Sequence, residues 1–226
     1  MGMAMAAALR DAGFTVEGPL GRDADAGGAD IALLCVPDGE IAAASASIAP
    51  GRLVGHCSGA TGLAPLRHRH AFALHPLMTV TEEGARFAGA GAAVAGSSER
   101  ALSVASGLAR RLGMRPFVID EDDRAAYHAA ASLASNFLVT LEAAAERLAA
   151  TVGAGRELLV PLVRATVENW AAQGAPRALT GPLVRGDEAT VARQRDAIAQ
   201  RTPEVLELFD AMAGATRALA AEAAPA

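Results

Sequence analysis

Asp30-Ile31-Ala32-Leu33-Leu34-Cys35-Val36-Pro37-Asp38 decides how the rest of this chain is read. Its unbroken apolar run stops at a Pro-Asp pair, which is the pattern of a strand buried on both faces. Gly39 to Ile48 reads as the helix that follows. Arg52 to His56 is the next strand and ends in the small-residue turn Cys57-Ser58-Gly59-Ala60. Ala71 to His75, Ala92 to Ala95 and Pro116 to Ile119 supply three more strands, with an amphipathic helix over Ser97 to Leu112. Upstream, Met1 to Ala12 is helix-like with Gly13 as its stop, and Phe14-Thr15-Val16 reads as a short strand. Strands alternating with helices predict an α/β fold: a doubly wound, mostly parallel sheet.

The pattern changes at Asp120-Glu121-Asp122-Asp123, acids that suit a helix N-terminus. Beyond them the spacing predicts helices only, over Arg124 to Val152, Gly155 to Gln173, Glu188 to Arg201 and Pro203 to Ala221. Residues 1–122 are therefore expected to form the α/β domain and residues 123–226 an all-α domain, with a frayed tail at Ala224-Pro225-Ala226.

Composition narrows the function classes. The net charge of −5 offers no footprint for nucleic acid, and no stretch is long and uncharged enough to span a bilayer. All 20 cationic side chains are arginine, which excludes Schiff-base and lysine acid/base chemistry. Cys35 and Cys57 lie in strand-like contexts and not in a CxxC or disulfide framework, and the apolar start lacks a basic leader region, so a cytoplasmic protein is expected. No His/Cys/Asp/Glu cluster has metal-ligand spacing.

A dinucleotide fold needs a strand, then G-x-G-x-x-G, then a helix whose N-terminus faces the pyrophosphate. Met1-Gly2-Met3-Ala4 resembles the last glycine of that motif with its helix, which places the expected first strand and the first two glycines upstream of Met1. The alternative is an ordinary N-terminal helix. Glu17 suits the ribose hydroxyls of NAD and Arg22 the 2′-phosphate of NADP, so both cofactors stay open, with NADP favoured. Val36, Pro37 and Ser58 end strands, where ligands bind in an open α/β sheet; the alternatives are tight turns and, for Asp38, a helix N-cap. His75, before Pro76 at another strand end, is a candidate to bind substrate or exchange a proton. His68 and His70 read as surface residues.

On the first helix of the second half, Tyr127, His128, Ser132, Ser135 and Asn136 interrupt a run of Ala, Leu and Phe. At about 100° per residue, His128, Ser132, Ser135 and Asn136 share one face. Such a polar stripe faces either a ligand or a helix in a neighbouring subunit. A second candidate is the Gly/Pro loop Leu179 to Asp187, which carries Thr180 and Arg185, while Asp187 suits the N-cap of the next helix. Arg185 is the candidate anion clamp.

Val36-Pro37-Asp38, His56-Cys57-Ser58-Gly59-Ala60, His75-Pro76, Tyr127 to Asn136 and Leu179 to Asp187 together resemble a bacterial family that joins a Rossmann-like domain to a helical domain of unknown function. Its wider relatives are pyrroline-5-carboxylate reductase, ketopantoate reductase, prephenate dehydrogenase and the 3-hydroxyacid dehydrogenases. The resemblance implies NAD(P) binding, a small-molecule substrate, and a homodimer joined through the helical half. Where hydroxyacid dehydrogenases carry Lys-x-x-x-Asn, this chain has Ser132 and Asn136, so their mechanism does not transfer. The expectation is an NAD(P)-dependent oxidoreductase for a small carbonyl, imine or hydroxy compound, with His128 donating a proton and Ser132 and Asn136 orienting substrate. The alternative is a non-catalytic protein that binds a nucleotide or a partner.

Overall fold

The computed structural model describes residues 1–81 and 84–222; the tail expected to fray lies outside them. Two compact units divide the chain, residues 1–136 and 137–226. The first holds a five-stranded sheet of sequential order: β1 (Ile31–Leu34), β2 (Leu53–His56), β3 (His70–Leu77), β4 (Gly91–Gly96) and β5 (Arg115–Val118). All neighbours pair parallel except β3 and β4, which run antiparallel. The expected α/β class, with its mostly parallel sheet and following helices, is what the chain adopts.

Both faces of the sheet are covered, and strand alternation sorts the side chains between them. Leu53, Phe72, Leu74 and Val94 pack on one face with Met5 of α1 (Gly2–Asp11) and with Ala101, Ala105, Leu108 and Ala109 of α3 (Glu99–Arg111). Ala32, Val54 and Ala71 pack on the other with Ile41 of α2 (Ile41–Ala46), Ile48 and Leu66. The helix α3 starts where Ser98 accepts a hydrogen bond from the Ala101 amide and carries Arg110 and Arg111 in its last turn, so both ends suit the helix dipole.

Phe14-Thr15-Val16 is not a strand. A β run needs a neighbour to take its backbone groups, and among the described residues no strand pairs with this segment, the sheet ending at β1. The segment is held instead by the Arg10 guanidinium, which donates to the Val16 and Gly18 carbonyls. His68 and His70 are half-buried rather than free on the surface, meeting the Ser45 carbonyl and the Ser98 hydroxyl.

After α4 (Arg124–Ser132) the chain makes one π-helical turn over Leu133–Phe137. The second unit then comprises α5 (Leu138–Ala150), α6 (Arg156–Gln173), α7 (Ala175–Ala178), α8 (Glu188–Arg201) and α9 (Leu206–Glu222). Its core is small: Ala144, Ile198 and Val205, with Leu148, Leu206, Leu208 and Phe209 packed around them. Asp187 caps α8 as its sequence position implies, accepting from the Thr190 amide.

At Gly55 the backbone of β2 runs against the Phe72 ring, and any Cβ there would overlap it. Gly55→Ala is expected to lower the stability of the first unit by about 1–3 kcal/mol, the usual cost of overpacking a filled core. The midpoint of chemical denaturation measures it.

Candidate functional site

Register places two histidines on one face of the sheet. Val54 pairs with Ala71 and His56 with Ala73, so His75 follows two residues later on the same side as His56. His56 ends β2, while His75, expected to close its strand, lies two residues before the end of β3 at Leu77. Both imidazoles stand towards the carboxyl ends of parallel strands, where open α/β sheets bind ligands.

The two imidazoles do different work. His56 is fully buried; its Nε2 lies 2.9 Å from the Gly62 carbonyl, and its Nδ1 accepts the Ser58 amide at 3.1 Å. A carbonyl only accepts and an amide only donates, so the proton resides on Nε2 and the ring is neutral. Burial lowers the His56 pKa in the same sense. His56 therefore clamps the 58–62 loop and is not a free acid or base. Ser58 completes the loop, donating to Asp38 Oδ2 at 2.7 Å and accepting from the Thr61 amide at 2.9 Å. Thr61 donates its hydroxyl to the same Asp38 oxygen at 2.9 Å. The helical turn over Asp38–Glu40 has Pro37, not Asp38, at its cap position. The Asp38 carboxylate ties the ends of β1 and β2 together instead.

His75 is the site's accessible imidazole. Its Nδ1 lies 2.6 Å from the Tyr127 hydroxyl, and the two rings meet edge to face at 5.5 Å. Tyr127 is held in turn by an edge contact with Phe117 at 5.7 Å. The His128 ring centre is 6.4 Å from that of His75. Gly59 closes this corner: a Cβ there would stand 2.8 Å from His75 Cε1 and 3.0 Å from His128 Cδ2, so only glycine lets the loop pass. Burial, with the nearby His128 and Arg124 charges, pushes the His75 pKa down to about 4, and burial pushes Tyr127 up to about 12. Both groups are neutral near pH 7. If Tyr127 donates to Nδ1, the proton of His75 resides on Nε2, free to donate to a ligand oxygen or nitrogen.

Arg124, the first residue of α4, is a residue that the sequence pattern does not single out. It is 2% exposed, and none of its three side-chain nitrogens has a hydrogen-bond partner among the described residues. The nearest acid is Glu121, at 3.5 Å from Nε. An arginine after four acids reads as a solvated residue, and only burial reveals it.

The remaining candidates fall in several places. Gly2 opens α1, whose cap residue Met1 makes no side-chain hydrogen bond, and a Cβ at Gly2 would stand 3.4 Å from Cys35 Cβ. The start of α1 is thus in van der Waals reach of the carboxyl end of β1, beside Val36 and Pro37. Cys35 and Cys57 are free thiols with their sulfurs 3.6 Å apart. Arg22 is exposed and paired with Glu40 at 2.8 Å. Ser132 lies one turn beyond His128, but Ser135 and Asn136 fall in the π turn. Its i to i+5 bonding shifts them from the face that regular α-helical spacing assigns. Thr180 and Arg185 belong to the second unit, in the loop before α8, and are exposed. Among the described residues no helix is long and apolar enough to cross a membrane.

Residues 90–216, more than half of the chain, match the family described as Domain of unknown function (DUF2520). No curated protein matches the sequence. Among solved structures, a Thermotoga maritima protein is 25% identical with a TM-score of 0.77, the alignment covering 85% of this chain and 80% of that one. A Bacteroides fragilis protein described as a candidate NADP oxidoreductase is 20% identical, with a TM-score of 0.74 over 84% of this chain and 76% of its own. The Plasmodium falciparum pyrroline carboxylate reductase, solved with NADP bound, is 11% identical, with a TM-score of 0.62 over 97% and 95%. The likeness establishes a Rossmann-like fold.

A histidine whose folded pKa lies below its usual 6.5 resists a proton that the unfolded chain accepts. Its contribution to stability is complete above pH 6.5 and is lost as the pH falls from there towards 4. His75→Gln is expected to flatten the loss of stability between those values, leaving the share due to His56, whose pKa is lowered too. Denaturation midpoints measured at a series of pH values test this.

Proposed function

The chain belongs to the family described as Domain of unknown function (DUF2520), and on that premise we propose that it is an NAD(P)-dependent oxidoreductase acting on a small carbonyl, imine or hydroxy compound. The observation that carries the reading is the neutral His75, tethered to Tyr127 and beside His128, at the strand ends of a Rossmann-like unit. Structural neighbours that include an NADP-bound pyrroline carboxylate reductase support the cofactor class.

The residues present fit a dinucleotide. The uncapped start of α1 lies against the end of β1, and amide groups at such a helix start suit a pyrophosphate. Gly2, Val36 and Pro37 would hold it there. Arg22, already able to pair with a carboxylate, would take a 2′-phosphate, which favours NADP. The nicotinamide ring, when bound, supplies or accepts the hydride.

The protein's own part is to orient the reacting group and manage a proton. His75 is held neutral by burial, so it acts as a hydrogen-bond donor that polarises a carbonyl or imine, with Tyr127 fixing its tautomer. His128, exposed and adjacent, would deliver the proton, and Ser132, one turn on, would orient the substrate. Ser58, whose hydroxyl is taken by Asp38, offers its loop rather than its Oγ. Asn136, Thr180 and Arg185 remain proposed substrate residues on their sequence positions.

Millimolar NADPH is expected to raise the melting temperature more than NADH does; at about 100 times its Kd a ligand adds roughly 2.7 kcal/mol. A protein that neither cofactor stabilises would refute the reading. In NADPH-oxidation assays against carbonyl and imine compounds, His128→Ala is expected to lower kcat about 10²-fold or more, the usual contribution of a general acid. Unchanged turnover would remove His128 from that role.

We propose further that the chain pairs with a second copy through its helical unit. No residue of α6 is buried, and Leu158, Leu162 and Trp170 are each more than half exposed, a surface that a lone chain leaves wetted at cost. Leu162→Arg is expected to shift a dimer to monomer in light scattering coupled to size exclusion, and a wild-type monomer would refute the pairing.

A further inference from the structure

We infer that Arg124 is the receptor for a carboxylate on the substrate, and that Glu121 stands in for that carboxylate when no ligand is bound. The inference rests on the oxidoreductase reading for the identity of the ligand as a substrate, but not for the site itself.

Arg124 carries three costs at once. It is 2% exposed, so its charge has been taken out of water. Its Nε and both terminal nitrogens lack hydrogen-bond partners among the described residues, although guanidinium has five N–H donors to satisfy. It occupies the first position of α4, where the helix dipole disfavours a cation. An isolated leucine or methionine would fill the same space without these penalties, so the charge is kept for something that binds it.

The surroundings say what that is. The Arg124 charge acts on His56, His75 and Tyr127 alike, which locates it at the same strand-end corner as the proposed chemistry. Glu121 is the acid facing it, but at 3.5 Å from Nε the pair is longer than the 2.7–2.9 Å of a charge-assisted hydrogen bond. The Glu121 side chain is 63% exposed, so water still competes for it. The same carboxylate lies over Gly62, where a Cβ would overlap it. A carboxylate therefore fits beside Arg124, held loosely by the chain and replaceable by one that docks squarely. The planar fork of guanidinium suits a two-oxygen carboxylate better than a single-point anion. The ligand class is a small carboxylic acid whose carbonyl or imine lies within the reach of His75.

The test is calorimetric titration of the full chain with picolinate, a flat carboxylate with an acceptor nitrogen on the adjacent ring position, its neutral amide picolinamide, and inorganic phosphate. Wild type is expected to bind picolinate at least about tenfold tighter than picolinamide, since a buried charge left unpaired is costly. Arg124→Met is expected to erase that preference, and Glu121→Gln to tighten picolinate binding by removing its competitor. Equal binding of picolinate and picolinamide by wild type, a preference that survives Arg124→Met, or Arg124-dependent binding of phosphate alone would each overturn the inference. If Arg124→Met does not fold, Glu121→Gln decides: tighter picolinate binding supports the site, and unchanged binding overturns it. Thermal shifts with NADPH, read on the same samples, separate the two claims. A cofactor shift without a carboxylate preference leaves the oxidoreductase reading standing and the inference refuted. The preference without a shift does the reverse.

Discussion

Alternation along β2 and β3 is the constraint from which the site follows. The sheet is covered on both faces, so Leu53, Phe72 and Leu74 must face one core and Val54 and Ala71 the other. A one-residue slip would drive each set into the wrong core. With that register pinned by packing, His56 and His75 have no choice of side. The two imidazoles are carried to one corner by hydrophobic residues that have no part in the chemistry.

What separates the two histidines is the company each meets there. His56 finds one acceptor and one donor from the backbone, at Gly62 and Ser58, and both ring nitrogens are consumed. His75 bonds one phenol through Nδ1, and its Nε2 has no hydrogen-bond partner among the described residues. Removing His56 would release the loop that brings Gly59 against His75 and His128. The clamping histidine thus sets the surroundings of His75 through the loop.

Much of this was readable beforehand where the signal is periodic. The run from Asp30 to Val36, of which Ile31–Leu34 is strand, the strands read at Arg52, Ala71, Ala92 and Pro116, the helix read over Ser97 to Leu112 and the cap at Asp187 are local patterns, and the chain adopts them within a residue or two. Phe14 to Val16 has the composition of a strand, but pairing depends on a neighbour that composition cannot reveal. The polar stripe on α4 presumes one helical period, and the π turn at Leu133–Phe137 breaks that period beyond Ser132. Asp38 looked like a cap because a turn follows it; its hydroxyl partners come from 20 and 23 residues away.

Arg124 marks the limit of such reading. In the chain it follows Asp120-Glu121-Asp122-Asp123, and any local argument pairs it with them and leaves it in water. The fold keeps Glu121 beside it at 3.5 Å but reverses the exposure: all four acids are exposed and the one cation is buried. Acids at the start of α4 are favourable to the helix dipole and cost nothing in solvent. A cation buried at that same end is unfavourable on every count and is kept in place by the chain around it. An arrangement in which the cheap charges are wet and the expensive one is dry is not what stability alone selects. The expense is recovered when an anion arrives at Arg124, which is why the least legible residue in the sequence is the one that says most about the ligand.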